Sequence, residues 1–311
     1  MLLSLLLLIS STQAPDDSDA FESESLICFQ SFRHGDFSSS IIVAAPDGSL
    51  ETDLTPRTGS AKPLYLEPVF SPNEESIAYV SGGASGSHRT QVWVVDVALK
   101  TPVALPSQAR RFSPEGRMVP AWSPNGTRLA YTENRGQRYE IFIVGLDGEK
   151  GQCLTPGKGK HARPQWSPDS EHILFDSDRG GNWDIYLMKA DGTNVVQLTN
   201  DPAEDVYASW SPDGEHILFT SDRKGASRLY VMQPDGKDVH RISQPQARAW
   251  NGSWSPDGRH IAFVSDRSGL NSIWVMSVDG EHERQVSSSE FRAGRPTWVS
   301  RKALEHVDKD E

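Results

Sequence analysis

Short apolar runs alternate with polar turns along most of this chain, and residues 160–200 show the pattern most clearly. A segment at 161–166 that ends in an aromatic residue is followed by apolar runs at 173–175 and 184–188 and by a mixed run at 195–199. The intervening turns are rich in Ser, Pro, Asp and Gly, which favour tight turns. Short runs of β-forming residues between such turns are typical of strands. The segment therefore predicts four antiparallel strands, which make one blade of a β-propeller.

The same arrangement recurs with a fixed period. The clearest copy begins with Trp-Ser-Pro-Asp-Gly and carries Ser-Asp-Arg at 221–223. The copies begin at Phe70, Trp122, Trp166, Trp210 and Trp254, with a first spacing of 52 residues and then spacings of 44. One further period reaches Trp298, where a single strand of the pattern remains. A period in the forties with several short strands per unit indicates a radial β array.

The strands missing from the last copy are found at the other end of the chain. Residues 26–55 follow the template of the second, third and fourth strands of a blade. We therefore expect the strand around Trp298 to join these N-terminal strands in one composite blade. The predicted fold is an all-β, six-bladed propeller of four-stranded blades over residues 26–300. Closure of this kind removes a free sheet edge that would invite aggregation.

Proline positions indicate which strand of each blade is innermost. Pro68, Pro120, Pro164 and Pro296 each stand two residues before the aromatic residue that ends the first strand of a copy. Proline donates no hydrogen bond to a sheet, so it is tolerated at an edge. The first strand of each blade is therefore expected to border the central channel, where one of its edges is free.

The repeated Trp-Ser-Pro-Asp-Gly, Ser-Asp-Arg, Ile-Tyr, Asp-Gly and Leu-Thr elements resemble the TolB-type, WD40-like propeller repeat over residues 26–300. The resemblance implies the fold more specifically than it implies an activity. In that family, TolB is periplasmic and binds the lipoprotein Pal at the mouth of its propeller. It carries a separate α/β domain before the propeller, which this chain is expected to lack. Similar propellers precede serine-peptidase domains or form oligogalacturonate lyases, and no hydrolase domain is expected here.

The two ends of the chain differ in composition from the propeller. Residues 1–14 combine an apolar run with small residues, as a secretory signal peptide does, and the run is too short to span a membrane. Residues 15–25 are acidic and are expected to form a disordered spacer, and residues 301–311 form a charged tail. These features predict a periplasmic or otherwise exported protein with no transmembrane segment.

Charge and cysteine content narrow the set of partners. The net charge is −11 at pH 7, and no basic stripe is present, which argues against a nucleic-acid partner. Cys28 and Cys153 fall on the first and third blades, which are not neighbours, so we expect no disulfide between them. A monomer that binds a protein or peptide is the expected state.

The common catalytic motifs are missing from the sequence. It contains no Gly-x-Ser-x-Gly elbow, no His-Glu-x-x-His and no phosphate loop. Three of the nine histidines recur six residues after the repeat tryptophan, so they lie on different blades and cannot converge on one metal ion. A loop with Asp176, Asn182 and Asp184 leaves calcium as an alternative, because these side chains offer oxygen ligands. We predict no cofactor and no metal.

The repeated Ser-Asp-Arg triplet is interpreted as structural, because a ring has one active site whereas a packing rule recurs in every blade. The Asp, found at 178, 222 and 266, is expected to accept hydrogen bonds within its loop. The following Arg is expected to pair with that Asp or to cover the neighbouring blade.

Functional residues are expected where the copies differ. Three residues before each key aromatic residue stand Glu67, Val119, Arg163, Tyr207, Asn251 and Arg295, one per blade, next to the loops that enter the first strands. With nearby positions, the predicted binding residues are Glu67, His161, Arg163, Asp205, Tyr207, Trp250, Asn251, Arg292 and Arg295. Arginine and aromatic residues are favoured at binding hot spots. Together with Arg117, the arginines predict a basic mouth suited to an acidic peptide, protein loop or uronic-acid sugar.

Three hypotheses about function follow from the sequence. The leading one is an exported, non-enzymatic propeller that binds a protein or peptide at its channel mouth. The second is an enzyme, such as a lyase acting on acidic oligosaccharides with His161 or Tyr207 as the base. The third is a purely structural spacer in a larger assembly of the cell envelope.

Overall fold

The computed structural model describes residues 25–32, 39–55, 64–82, 90–97, 102–104, 119–136, 138–146 and 151–302. They form six four-stranded antiparallel sheets. Blade 1 consists of β24 (Ala293–Ser300), β1 (Ser25–Ser31), β2 (Ser40–Ala44) and β3 (Glu51–Asp53). Blade 2 consists of β4 (Leu64–Phe70), β5 (Ser76–Gly82), β6 (Thr90–Asp96) and β7 (Pro102–Ala104), and blade 3 of β8 (Pro120–Trp122), β9 (Arg128–Asn134), β10 (Tyr139–Gly145) and β11 (Gln152–Cys153).

The other three blades follow the repeat of 44 residues closely. Blade 4 consists of β12 (His161–Trp166), β13 (His172–Ser177), β14 (Asp184–Lys189) and β15 (Val196–Gln197). Blade 5 consists of β16 (Asp205–Trp210), β17 (Ile217–Ser221), β18 (Arg228–Met232) and β19 (His240–Arg241). Blade 6 consists of β20 (Trp250–Trp254), β21 (His260–Ser265), β22 (Ser272–Ser277) and β23 (Arg284–Gln285). The predicted fold class of six four-stranded blades is confirmed.

The ring closes through the composite blade that the sequence predicts. The C-terminal strand β24 pairs antiparallel with β1, with Ile27 opposite Trp298 and Leu26 opposite Val299. A carboxylate of blade 2 also holds the end of β24, because Glu74 accepts a 2.5 Å hydrogen bond from the backbone N–H of Ser300. The two ends of the propeller sequence are therefore fixed both to each other and to the next blade.

The hydrophobic core is divided into six clusters, and each cluster lies between two consecutive blades. The cluster between blades 3 and 4, for example, joins Ala130 and Ile141 to Ile173 and Phe175. The corresponding cluster between blades 6 and 1 joins Val264 and other residues of blade 6 to the N-terminal strands. This distribution means that each sheet is buried only by its two neighbours.

The repeat aromatic residues connect neighbouring blades. The indole Nε1 of Trp166 in blade 4 donates a 3.1 Å hydrogen bond to the carbonyl oxygen of Ala121 in blade 3. Trp122 and Trp298 donate in the same way to the carbonyl oxygens of Val69 and Ser253 in the preceding blades. Each of these acceptors stands one residue before the key aromatic residue of its own blade. The same hydrogen bond from an indole to a backbone carbonyl therefore recurs at three junctions.

Several predicted features lie wholly or partly outside the described residues. These are the signal peptide at 1–14, almost all of the spacer at 15–25 and most of the tail at 301–311. The side chain of Arg117 is also outside them. Among the residues that are described, no helix combines the length and the apolar composition of a transmembrane span. Cys28 and Cys153 are both free, the first buried in blade 1 and the second half-buried in blade 3.

The inter-blade indole bond gives a testable stability difference. Trp166→Phe removes the bond to Ala121 but keeps an aromatic ring, so we expect the free energy of unfolding to fall by about 1 kcal/mol more than in Trp210→Phe. Trp210 is the matched control, because its indole nitrogen has no hydrogen-bond acceptor among the described residues. Denaturant unfolding of both variants measures the difference, and equal losses would contradict this role of the bond.

Candidate functional site

The predicted ring of variable residues lies inside the central channel, within the innermost strands rather than on the loops that enter them. Residues of β4, β8, β12, β16, β20 and β24 line a single cavity of about 100 Å³. Glu67, Arg163, Tyr207, Asn251 and Arg295 all contribute to its wall. The prolines at 68, 120, 164 and 296 lie in the same inner strands, where one edge of the sheet is free, as predicted.

A backbone irregularity turns these side chains toward the channel. Glu67, Arg163, Tyr207, Asn251 and Arg295 all have left-handed φ angles, between 54° and 59°. In β4, β12, β16 and β20, the pairing register with the second strand shifts at this point. A bulge of this kind re-aims a side chain, and left-handed φ costs a non-glycine residue about 1–2 kcal/mol. Neighbouring structure must therefore hold each of these residues in place.

The support comes from the second strand of the preceding blade. The backbone N–H of Arg163 donates to Thr132 Oγ1 at 3.1 Å, and that of Asn251 donates to Thr220 Oγ1 at 3.0 Å. Tyr207 donates from its N–H to a carboxylate, Asp176 Oδ2, at 3.1 Å. At the junction of blades 1 and 2, Gln30 Oε1 accepts from the N–H of Glu67 at 3.0 Å. At each of these four junctions, one polar side chain thus fixes the next bulge.

Two ion pairs lie at the wall of the channel. Arg163 Nη1 lies 2.6 Å from Asp176 Oδ2, and both side chains are buried. Arg295 forms an ion pair with Glu67 and donates a 3.1 Å hydrogen bond to Asn251 Oδ1. The charges of these two arginines are therefore compensated. This corrects the expectation that Arg163 and Arg295 give the mouth a positive charge, and the reason is that each lies beside a buried carboxylate.

Tyr207 joins the two ion pairs. The guanidinium carbon of Arg163 lies 3.9 Å from the centre of the Tyr207 ring, and that of Arg295 lies 5.3 Å from it. Guanidinium groups at such distances are attracted to aromatic faces. The five variable residues therefore form one connected network across blades 1, 2, 4, 5 and 6.

His161 and Asp205 are buried at the starts of β12 and β16, so they do not face the channel opening. His161 Nδ1 lies 2.9 Å from Ser177 Oγ, and its side chain is almost fully buried. Burial, together with the nearby charge of Arg179, lowers the pKa of His161 to about 4. Asp205 forms an ion pair with Arg223 at 2.8 Å. Both residues thus support the Ser-Asp-Arg loop of their own blade.

The Ser-Asp-Arg triplet is structural, although its Arg differs from the prediction. Asp178 accepts a 2.6 Å hydrogen bond from the N–H of Lys160 within its blade, as expected for the Asp. In the copies at 179, 223 and 267, the Arg pairs with groups of its own blade rather than with that Asp or the next blade. Arg223 folds back over Phe219 and Tyr230 of its own blade, with ring-centre distances of 5.3 and 4.8 Å. The arginine covers the aromatic pair at the end of the blade.

The calcium alternative is not supported by the geometry of its loop. Asp176 is paired with Arg163, whereas Asn182 donates to the carbonyl oxygens of residues 201 and 203. Asp184 accepts from Gln197 and Thr199, and burial raises its pKa to about 6. The three side chains are bonded to different partners and do not converge on one point. Among the described residues, one metal-compatible group is found, namely Asp169, Glu171 and His172 on a turn at the opposite end of blade 4.

A larger cavity opens at the end of the channel where the inner strands begin. It has a volume of about 330 Å³ and is bounded by blades 4, 5 and 6. Trp183 and Trp250 belong to its walls, and Arg163 and Tyr207 also line it. Trp250 was predicted from sequence, whereas Trp183 was missed because it lies on the loop between the second and third strands. The sequence does contain a signal for Trp183, because blade 5 carries Ser227 at the same position of the repeat.

Charged side chains surround this mouth. Lys160, Glu204, Arg248 and Arg292 occupy equivalent positions just before the inner strands of blades 4, 5, 6 and 1. Arg292 and Glu204 are exposed, and Arg248 is exposed while lying 3.3 Å from Asp266. The described part of the rim therefore carries three cations and one anion at these positions. Of the predicted arginines that the structure describes, Arg292 is the one on the surface.

The buried ion pair predicts a defined pattern of stabilities. Asp176→Thr would keep an acceptor for the N–H of Tyr207, as Thr132 and Thr220 do for their neighbours, but would leave Arg163 buried without its counter-ion. We expect the free energy of unfolding to fall by about 3–5 kcal/mol. The double variant Asp176→Thr/Arg163→Asn should be more stable than the single one, because no unpaired charge remains. Denaturant unfolding measures these losses. If the free energy of unfolding lost in the double variant equals the sum of the losses in the two single variants, the pairing is contradicted.

Buried neutral His161 predicts a pH dependence of stability. Because its pKa is lowered to about 4 from 6.5, the unfolded chain takes up the proton first as the pH falls between these values. The free energy of unfolding should therefore decrease over this window. From about pH 7.5 to 4.5, the wild type should lose about 2–3 kcal/mol more than His161→Ala, which copies Ala249 and Ala293 of other blades. Equal losses in the two proteins would refute the assignment.

Comparisons with known proteins agree with this architecture. The family described as TolB beta propeller domain matches residues 24–186 and 112–302. TolB from Acinetobacter baumannii is similar over 92% of this chain and 68% of its own, with 21% identity and a TM-score of 0.73. An oligogalacturonate lyase in complex with manganese is similar over 85% of this chain and 74% of its own, with 14% identity and a TM-score of 0.58. A puromycin hydrolase is similar over 83% of this chain and 43% of its own, with 17% identity and a TM-score of 0.60. At these identities the structural likeness shows the fold alone, whereas the family match spans most of the sequence: the chain belongs to the TolB beta propeller domain family.

Proposed function

We propose that this protein is an exported, non-enzymatic propeller that binds a protein or peptide partner at the mouth of its central channel. The observation that carries the proposal is the mouth itself. Trp183, Tyr207 and Trp250 converge there on a cavity of about 330 Å³, and they come from three rigid blades. Tryptophan, tyrosine and arginine are the residue types that dominate binding hot spots. Binding residues carried by a rigid scaffold are a common arrangement in such folds.

The charges of the rim favour an acidic partner. Lys160, Arg248 and Arg292 outnumber Glu204 at the four equivalent positions around the mouth. Surface cations of this kind steer an acidic segment toward the channel, and their effect weakens with added salt. The apolar run in residues 1–14 and the likeness to TolB support export, which brings the mouth into contact with envelope partners.

The rim charges define a test of partner binding. Wild-type protein and a Lys160→Glu/Arg292→Glu variant would each be used to capture proteins from an envelope extract, with identification by mass spectrometry. We expect a partner that the wild type retains and that the rim variant loses by about ten-fold or more, because the acidic segment is repelled. Arg241→Glu/Arg259→Glu is the control, since it makes the same charge change at exposed sites away from the mouth. Equal loss in both variants, or no partner with the wild type, would refute the proposal.

The alternative function is an enzyme acting on acidic oligosaccharides, as oligogalacturonate lyases do. Such an enzyme would need a base or a metal at the mouth. His161 is buried against Ser177, and the ring of Tyr207 is packed against two guanidinium groups, so the geometry favours neither as the base. Cleavage of uronate oligomers by the purified protein, with and without added manganese, tests this alternative directly. Turnover that disappears in Tyr207→Phe would establish it.

A further inference from the structure

We propose that the mouth cavity between Trp183 and Trp250, here called the two-tryptophan cavity, receives one uncharged aromatic side chain of the partner. The inference rests on the proposed function, because it names the chemistry that the mouth recognises. The rim charges favour an acidic segment, and the cavity on blades 4 to 6 adds a specific subsite for one side chain of that segment. Four observations carry it, concerning the repeat, the floor, the charges and the size of the cavity.

The blade does not require either tryptophan. At the position of Trp183, blades 3, 5 and 6 carry Tyr139, Ser227 and Asn271. At the position of Trp250, blades 4, 5 and 1 carry Ala162, Val206 and Gly294. Residues that serve folding recur in this chain, as the inter-blade tryptophans do. Two tryptophans that stand where other blades carry different residues, and that line one cavity, indicate a binding role.

The floor of the cavity is held in place before any partner arrives. Tyr207 is fixed by its backbone bond to Asp176, and Arg163 is packed against its ring at 3.9 Å. Arg163 is in turn bonded to Asp176 at 2.6 Å. A site whose groups are already ordered loses less conformational entropy on binding. The cavity is therefore suited to recognition by shape.

The two arginines around the cavity are paired within the protein. Asp176 compensates Arg163 beneath it, and Asp266 lies 3.3 Å from Arg248 at its edge. Glu204 is exposed at the rim, where water solvates it. An anionic side chain entering between the two tryptophans would lose its hydration without gaining an unpaired cation. A cationic side chain could gain Glu204 alone, an exposed carboxylate whose attraction is weakened by water. A neutral aromatic ring avoids that cost and gains contact with both indoles.

The size of the cavity limits what it can hold. Its volume of about 330 Å³ lies at the lower end of the range for ligand pockets, about 300–1,000 Å³. This room suits one large side chain rather than a folded segment. Binding hot spots tend to pair with hot spots on the partner, where Trp and Tyr are again enriched. The two-tryptophan cavity and the basic rim would then recognise an aromatic side chain within an acidic segment.

The repeat itself supplies variants that remove the cavity walls and place there residues that other blades carry. Trp183→Ser introduces the residue of blade 5, and Trp250→Val introduces the residue found at Val206. Trp274→Tyr is the matched control, because Tyr186 and Tyr230 occupy its position in blades 4 and 5. Trp274 does not line the cavity. Circular dichroism and thermal melting of each variant check that the ring is intact.

The test measures binding of defined peptides to the full chain. Fluorescein-labelled peptides Gly-Asp-Xaa-Asp-Gly, with Trp, Leu, Arg or Ala at Xaa, would be titrated with the protein and followed by anisotropy. We expect the Trp peptide to bind about ten-fold or more tightly than the Ala peptide. Trp183→Ser and Trp250→Val should each weaken it about ten-fold or more, whereas Trp274→Tyr should stay within about two-fold of the wild type.

Several outcomes would overturn the inference. Preference for the Arg peptide would make the subsite a cation site, and no preference at Xaa, or no binding, would remove the subsite. Equal effects of all three variants would show a general loss of structure. These results are distinct from a failure of the proposed function: if envelope capture still depends on Lys160 and Arg292, the propeller binds its partner without an aromatic anchor in this cavity.

Discussion

Burial between neighbouring blades is the constraint on which the structure depends. The six sheets share no common core, and each covers its apolar faces only with the sheets on either side. A ring of this kind is stable only when its last blade meets its first, since an open junction would expose one whole face. The pairing of β24 with β1 provides that junction, and Glu74 holds the end of β24 against the second blade. The pairing of the first and last strands of the propeller thereby buries the faces of the blades on both sides of the junction.

Closure also allows the strained conformations inside the channel. Five non-glycine residues are held at left-handed φ angles, each costing free energy that a flexible loop would release by rearranging. In the ring, polar side chains of neighbouring blades, such as Thr132 and Asp176, bond the backbone of most of them. The strain aims side chains at the channel axis. It is stored at the place where the blades differ, as strain often is at functional sites.

The channel interior and the mouth have different roles. The interior holds two compensated ion pairs around Tyr207, which makes it rigid and nearly neutral. The mouth, by contrast, carries exposed charges such as Arg292 and the two tryptophans that no other blade repeats. A rigid floor beneath a variable rim is a suitable arrangement for selective binding. Because Arg163 and Arg295 belong to the ion pairs of the interior, replacing either one is expected to destabilise the fold, and such a variant would not test partner binding.

The sequence alone determined the number of blades, the composite closing blade and the position of the prolines at the inner strand edges. These features are local and periodic, so a spacing of 44 residues and the turn chemistry are enough to reveal them. It also placed the variable residues at one position per blade. Their contacts depended on the tertiary structure. Asp176 meets Arg163 and Tyr207 because bulges reverse the direction of inner-strand side chains, and no sequence pattern shows a bulge at a non-glycine residue. Trp183 and Trp250 converge because the ring brings together loops of blades separated by 67 residues in sequence.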